Sequence, residues 1–320
     1  MAAPSDAWLD QHYATPQTRV RIGRRRRLNL LVMGDGGPTV ILASGLIGTT
    51  LDWARVQPAL AAKVRAVAFD KAGLGFSDPG PLPRTASAIV TDLRAALSAA
   101  DIAPPYVLVG HSAGGPQMRL FAFHHPEEVV GMVMVDSASE HQDRRMDTAR
   151  GVRFNALARL RLLRDYTRLT RLARDGALSP GSPDHARAVG GLSPERVTPA
   201  VWAAWVAQHT SPAYWRAVRS ESAASVGASA DEVTAARRPL GDIPLIALTA
   251  GRSAARRPDE TPAQAAARFA EWVAMHDEIA ALSSRGERRT VDAGHAIQME
   301  RPDLVIGAIE AVLDRARAAG

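Results

Sequence analysis

Ser112 stands at the centre of Gly110-His111-Ser112-Ala113-Gly114, and a serine in a Gly-x-Ser-x-Gly spacing is a candidate nucleophile. An apolar run, Tyr106-Val107-Leu108-Val109, leads into it, and a helical pattern from Pro116 to His125 follows. So sharp a strand-to-helix turn forces the serine into a strained backbone conformation and lifts its hydroxyl clear of the sheet. Gly110 and Gly114 remove the Cβ atoms that would clash where strand and helix nearly touch. A serine hydroxyl is a weak nucleophile at neutral pH. It needs a base within hydrogen-bond reach and a third group to orient that base. Imidazole suits the base, since it takes up and returns a proton near pH 7. Nine histidines are present, so position must choose among them. His111 adjoins the serine but points to the other side of the turn, as a packed or hydrogen-bonded residue. His124 and His125 read as capping or surface residues beside Pro126.

The elements that would position these groups alternate between strand and helix. Two β-like stretches, 19–22 and 28–33, flank Arg24-Arg25-Arg26-Arg27, which reads as a solvated hairpin turn. Thr39–Ser44, Val64–Phe69, Tyr106–Val109 and Val129–Val135 are apolar runs of strand length, as expected of strands buried on both faces. Trp53–Ala62 and Thr85–Ala100 read as helices, the second with Ile89, Leu93, Ala96 and Leu97 on one face. This rhythm predicts a mostly parallel, doubly wound α/β sheet, whose ligand site lies outside the carboxyl ends of the strands. Ser44-Gly45, Asp70, Ser112 and Asp136 all fall at that edge.

From about Ser137 to Arg238 the rhythm gives way to an Arg- and Ala-rich helical pattern, punctuated by Gly181-Ser182-Pro183 and Gly190-Gly191. It reads as a helical cap, 137–238, inserted into a core of 1–136 and 239–320. Its Trp202, Trp205, Tyr214 and Trp215 suggest a small-molecule substrate with an apolar acyl or aromatic group. The core resumes with a strand at Leu245–Thr249, a helix over 262–282, a short strand at Arg288–Val291 and a closing helix from Arg301-Pro302.

Composition narrows the classes of function. Apolar content of 46% with 22% charged residues is that of an ordinary globular protein. The net charge of +6 is carried almost wholly by arginine, with lysine only at Lys63 and Lys71. No aromatic interleaving or recognition motif accompanies the arginine run, so nucleic-acid binding is not expected. The lack of cysteine excludes a disulfide framework, a thiolate metal site and a cysteine nucleophile. No cofactor or metal is expected. Without a visible secretory signal at the N-terminus or an apolar stretch of bilayer length, the expectation is a cytoplasmic protein with no membrane span.

Three motifs in order resemble the α/β-hydrolase fold family over essentially the whole chain, in its capped serine-hydrolase branch. Gly110–Gly114 resembles the family's nucleophile elbow. Asp70-Lys71-Ala72-Gly73-Leu74-Gly75-Phe76-Ser77 resembles its Asp-Arg-x-Gly-x-Gly-x-Ser loop, with lysine in place of arginine. Gly294-His295-Ala296-Ile297-Gln298-Met299-Glu300-Arg301-Pro302 resembles the segment with its catalytic histidine. The resemblance implies Ser112 as nucleophile, His295 as base, and an oxyanion hole of the Ala113 and Leu46 N–H groups. For the acid it implies Asp136, which closes the Val129–Val135 strand. The usual later position reads Gly251-Arg252-Ser253, and Asp259 arrives several residues late as the alternative, with Glu140 and Asp143 behind it. The implied activity is hydrolysis of an ester-like bond through an acyl-enzyme. Carbon–carbon bond hydrolases, amidases or peptidases, acyltransferases and haloperoxidase-like members share such a triad. A serine nucleophile argues against the epoxide hydrolase and dehalogenase branches, which use aspartate there. A non-catalytic ligand-binding member is the alternative from another class, and the displaced acid is its one support.

Overall fold

A computed structural model of the chain describes residues 5–153, 156–178, 183–188 and 197–318. The punctuating Gly181, Ser182, Gly190 and Gly191 lie outside them, as do residues 1–4 of the lead-in. In chain order the elements are α1 (Asp6–Tyr13), β1 (Thr18–Ile22), β2 (Arg26–Met33), β3 (Thr39–Ala43), α2 (Gln57–Leu60), β4 (Ala66–Phe69), α3 (Ala86–Ala99), β5 (Tyr106–His111), α4 (Gly114–His124) and β6 (Val129–Val135). Helices α5 (Gln142–Ala149), α6 (Ala156–Arg174), α7 (Pro183–Ala188), α8 (Pro199–His209), α9 (Pro212–Ser225) and α10 (Ala228–Ala236) follow. The chain closes with β7 (Leu245–Ala250), α11 (Pro262–Ala280), β8 (Gly286–Val291), α12 (Ile297–Glu300) and α13 (Pro302–Arg317).

The eight strands form one sheet in the order β1-β2-β4-β3-β5-β6-β7-β8. Strand β2 runs antiparallel to both neighbours, and all pairings from β4 to β8 are parallel. Alternate residues of each strand serve opposite faces. Leu30, Ile41, Leu108, Met132 and Ala247 pack with Leu93 of α3 and Phe121 of α4. Leu31, Leu42, Val109, Val133 and Leu248 pack with Trp53 and with Ile309 of α13. Helices covering both faces explain the continuous apolar runs of β3, β5 and β7. The expected α/β-hydrolase architecture is the one observed.

The arginine run is a hairpin, with the turn at Gly23–Arg25 and Gly23 at φ 65°. The expected helix 53–62 is instead a 3-10 turn at Thr50–Trp53 followed by the single turn α2. The Thr49 hydroxyl caps the first turn early, and Pro58, which belongs in a first turn, starts the second. Between β6 and β7 the described elements are all helices. A small core of Leu169, Leu178, Tyr214, Trp215 and Val218 joins α6 to α9 and rests on Leu74. Helix α10 turns back to the sheet side. Val233 packs with α3 and α4, while Ser229 Oγ and Glu232 Oε2 each accept, at 2.9 Å, an N–H from the first turn of α3. Among the described residues no helix is long and apolar enough to cross a membrane.

Candidate active site

Parallel strands end along a common edge, and the candidate groups arise there. Register pairs His111 with Val135 and Val135 with Leu248, so Ser112 and Asp136 are the first residues beyond two neighbouring strands. Both leave the strand in the left-handed region, Ser112 at φ 50° and Asp136 at φ 40°. For non-glycine residues that conformation costs of the order of 1–3 kcal/mol and persists only where surrounding contacts enforce it. Around Ser112 the enforcement is its N–H on Val135 O at 3.2 Å and its carbonyl accepting from Ala138 N–H at 2.9 Å. The glycines permit it. A Cβ on Gly110 would sit 2.7 Å from Gly115 Cα, and one on Gly114 would sit 2.5 Å from Ala43 O.

His295 comes from the loop after β8, 183 residues beyond Ser112. Its Nε2 lies 2.9 Å from Ser112 Oγ and its Nδ1 lies 2.7 Å from Asp136 Oδ2. An ionised carboxylate can only accept, so Nδ1 carries the ring proton and Nε2 is free to accept from the serine hydroxyl. Asp136 Oδ1 accepts two further hydrogen bonds at 2.9 Å, from Ala250 N–H at the end of β7 and from the Trp272 indole N–H of α11. Burial pushes the Asp136 carboxyl up. The His295 hydrogen bond and charge, helped by Ala250 N–H, more than offset that and hold it below its ordinary value. Asp136 is thus ionised, buried and fixed at both oxygens.

The other carboxylates considered do not reach His295. Asp259 is exposed and paired with Arg150 at 2.9 Å. Glu140 closes a buried pair with Arg119, and Asp143 lies 3.4 Å from Arg159. His111, the last residue of β5, is buried and hydrogen-bonded, donating from Nε2 to the backbone carbonyl of His295 at 3.0 Å. Burial, then the neighbouring His295, lowers its pKa to about 3, so it is a neutral support for the histidine loop. A second buried histidine, His276, receives the Thr249 hydroxyl at 2.7 Å and donates to Ser137 O at 2.9 Å, bracing the strand ends beside Asp136. A grouping of His125, Glu127 and Glu128 close enough to share a cation begins at the opposite end of β6 from Asp136.

Beside Ser112 lies a cavity of about 200 Å³ whose walls include Leu46, Ala113, Pro116, Gln117 and Glu221. The β3 loop closes on the elbow so tightly that a Cβ on Gly45 would sit 3.2 Å from Ser112 Cβ. Leu46 and Ala113 therefore flank the serine from two sides. Trp202, Trp205, Tyr214 and Trp215 of the helical segment are not among the walls. Trp205 stacks on His209 at 3.8 Å, and Tyr214 and Trp215 are buried against each other. They build the helical segment's own interior, while serines and charged groups such as Ser139, Ser222 and Arg144 face the cavity.

Sequence reasoning missed Trp272, Ala250 N–H and Glu221. Trp272 had a readable signal, since it shares a buried helix face with Arg268, Met275 and His276, and a buried indole N–H seeks an acceptor.

A sequence model of the alpha/beta hydrolase fold matches residues 38–250, more than half of the chain. An AB hydrolase superfamily protein of Gibberella zeae is 35% identical over 112 residues, covering 33% of this chain and 35% of the relative. The matches to the first curated relatives span from 16% to 49% of those proteins' lengths. Among solved structures, the epoxide hydrolase CorEH superposes with a TM-score of 0.67 at 19% identity, over 93% of this chain and 98% of that one. A thermophilic esterase from Thermogutta terrifontis gives 0.64 at 20% identity, over 93% and 98%. At such identities these neighbours speak for the fold alone. Matched by the family's sequence model and built on its sheet, this chain belongs to the α/β-hydrolase fold family.

Proposed function

We propose that the protein is a serine hydrolase that cleaves an ester-like acyl bond through an acyl-enzyme. The observation that carries this reading is the continuous relay from Ser112 Oγ to His295 Nε2 at 2.9 Å and from Nδ1 to Asp136 Oδ2 at 2.7 Å. In this mechanism Ser112 Oγ attacks the acyl carbon as its proton passes to His295 Nε2. The imidazolium so formed is stabilised by Asp136, and it returns the proton to the leaving alcohol as the tetrahedral centre collapses. Water then enters beside the exposed His295 and attacks the acyl carbon as it gives a proton to Nε2, and that proton passes to Ser112 Oγ as the acid leaves. The Leu46 and Ala113 N–H groups hold the oxyanion, each contributing of the order of 3 kcal/mol to the transition state. The epoxide hydrolase neighbour does not extend its chemistry to this chain, because a carboxylate nucleophile is required there and the elbow carries serine.

We assign 137–238 the role of a cap that shapes the pocket, with α10 anchoring it to α3 and α4. The mixed polar and apolar lining, from Leu46 and Pro116 to Ser222 and Arg144, supports a small ester as substrate better than a large aromatic one. Hydrolysis of p-nitrophenyl acetate and butyrate by wild type and Ser112→Ala tests the reading. Wild-type turnover that the variant loses is the expected result; equal rates in the two proteins would refute it.

A further inference from the structure

Lys71 stands where the resemblance calls for arginine, and its side chain is 3% exposed. An ammonium group has three protons to place, and burying it leaves no water to take them. All three find acceptors: Gly45 O at 2.8 Å, Leu46 O at 3.2 Å and Glu221 Oε1 at 2.7 Å. The loop before it is rigid, since Asp70 accepts Thr50 N–H at 2.8 Å, Phe76 N–H at 3.0 Å and Asn29 Nδ2 at 2.9 Å. Glu221, from α9, also takes the Gln117 side-chain amide at 2.9 Å, and Gln117 belongs to the helix that opens just after Ser112. A second bond from α9 reaches the same loop, Tyr214 Oη to Ile47 O at 2.7 Å.

The Gly45 carbonyl and the Leu46 N–H belong to one peptide unit. In a trans peptide the two point in opposite directions, so whatever holds the oxygen aims the hydrogen. A cation on the oxygen also polarises the unit and makes its N–H a stronger donor. We infer that Lys71 is a positioning residue for the oxyanion hole, held by Glu221, so that helix α9 sets the aim of the Leu46 N–H. The inference rests on the serine-hydrolase reading above. On this account Lys71 acts on the charge that develops at the acyl oxygen and not on the uncharged ester, so it contributes to kcat rather than to KM.

The test compares wild type with Lys71→Met, Lys71→Arg and Tyr214→Phe. The readouts are p-nitrophenyl butyrate turnover and binding of a trifluoromethyl ketone, which adds to Ser112 and carries an oxyanion, against the methyl ketone of the same chain length, bound unreacted. Lys71→Met is expected to lower kcat by about 30-fold with KM within about twofold, below the 10²–10³ lost when a donor is deleted outright. Trifluoromethyl ketone affinity should fall in parallel and methyl ketone affinity should not. Lys71→Arg should recover most of the loss, and Tyr214→Phe should lose several-fold in kcat alone. A folded Lys71→Met with wild-type kcat and wild-type trifluoromethyl ketone affinity would overturn the inference, as would equal loss of both ketones. If Lys71→Met does not fold, Tyr214→Phe decides: an unchanged kcat and ketone ratio refutes the grip of α9 on the loop. A wild type that neither turns over the ester nor reacts with a fluorophosphonate at Ser112 would instead defeat the hydrolase reading itself.

Discussion

Replacing Asp136 by asparagine separates the proposed acid from its rivals, because the geometry dictates how the amide must lie. Oδ1 accepts from both Trp272 Nε1 and Ala250 N–H. An amide NH₂ in that place would face two buried donors, at a cost of about 1–3 kcal/mol for each bond lost. The asparagine therefore keeps its oxygen there and turns its NH₂ toward His295 Nδ1. Nδ1 must then accept, which moves the ring proton to Nε2, where it points at Ser112 Oγ. The base is now in the wrong tautomer and no carboxylate stabilises the imidazolium. A triad altered in this way loses roughly 10⁴ in kcat, about 5 kcal/mol. Asp259→Asn should change kcat by less than about twofold, since Asp259 is 72% exposed on Arg150 and its exposed pair contributes of the order of 0–1 kcal/mol. Steady-state kinetics on a p-nitrophenyl ester, with thermal unfolding to confirm both variants are folded, gives the comparison. A loss under tenfold for Asp136→Asn, or a matching loss for Asp259→Asn, would refute the assignment.

Two further outcomes follow from the packing. Gly114→Ala would put a Cβ 2.5 Å from Ala43 O and 2.8 Å from Ser44 O, both backbone atoms that must move. Overpacking of this kind costs about 1–3 kcal/mol, and it pries the β3 loop from the elbow, so a lower Tm together with a larger loss in kcat than in KM is expected. A stability and kcat equal to wild type would contradict it. Acid should destabilise the fold through its buried neutral histidines: burial lowers His209 to about 4, and burial with the nearby His295 lowers His111 to about 3. Below the unfolded value near 6.5 the unfolded chain binds protons that these rings refuse, so stability rises with pH and is lost as pH falls from about 6.5 toward 4. At pH 5 each ring costs about 2 kcal/mol, and urea unfolding at pH 7.5 and 5 should show His209→Phe losing about 2 kcal/mol less than wild type. Equal losses in the two proteins would show that His209 does not titrate on unfolding.

The strands and the elbow were legible because their signals are local. Continuous β-branched runs mark strands buried on both faces, and glycine spacing around Ser112 marks the close approach of α4 to β5. The place of Asp136 at the end of an apolar strand run, with Gly251-Arg252-Ser253 at the usual later position, likewise pointed to the carboxylate that lies 2.7 Å from His295. What could not be read depends on distant contacts. The Trp272 bond to Asp136 spans 136 residues and the Lys71 pair with Glu221 spans 150, so even where burial of the indole could be read from its helix face, no local pattern names the partner. Composition also misdirected one step. The aromatic residues of the helical segment suggested a pocket lining, but a layer of helices needs an interior of its own, and Trp205, Tyr214 and Trp215 are spent on it. Likewise α10 has the same Ala-rich character as its neighbours, and what ties it to the sheet-side helices, its bonds to Ala86 and Ser87 and the packing of Val233, is not local.

In the proposed mechanism Ser112 carries the acyl group between two half-reactions. Acid-quenched peptide mass spectrometry during turnover of p-nitrophenyl acetate tests it most directly. An acetylated peptide containing Ser112, appearing within one turnover and not formed when His295→Ala removes the base that acylation needs, is the predicted result. Turnover with that peptide unmodified, or with acetate on another residue, would contradict the account.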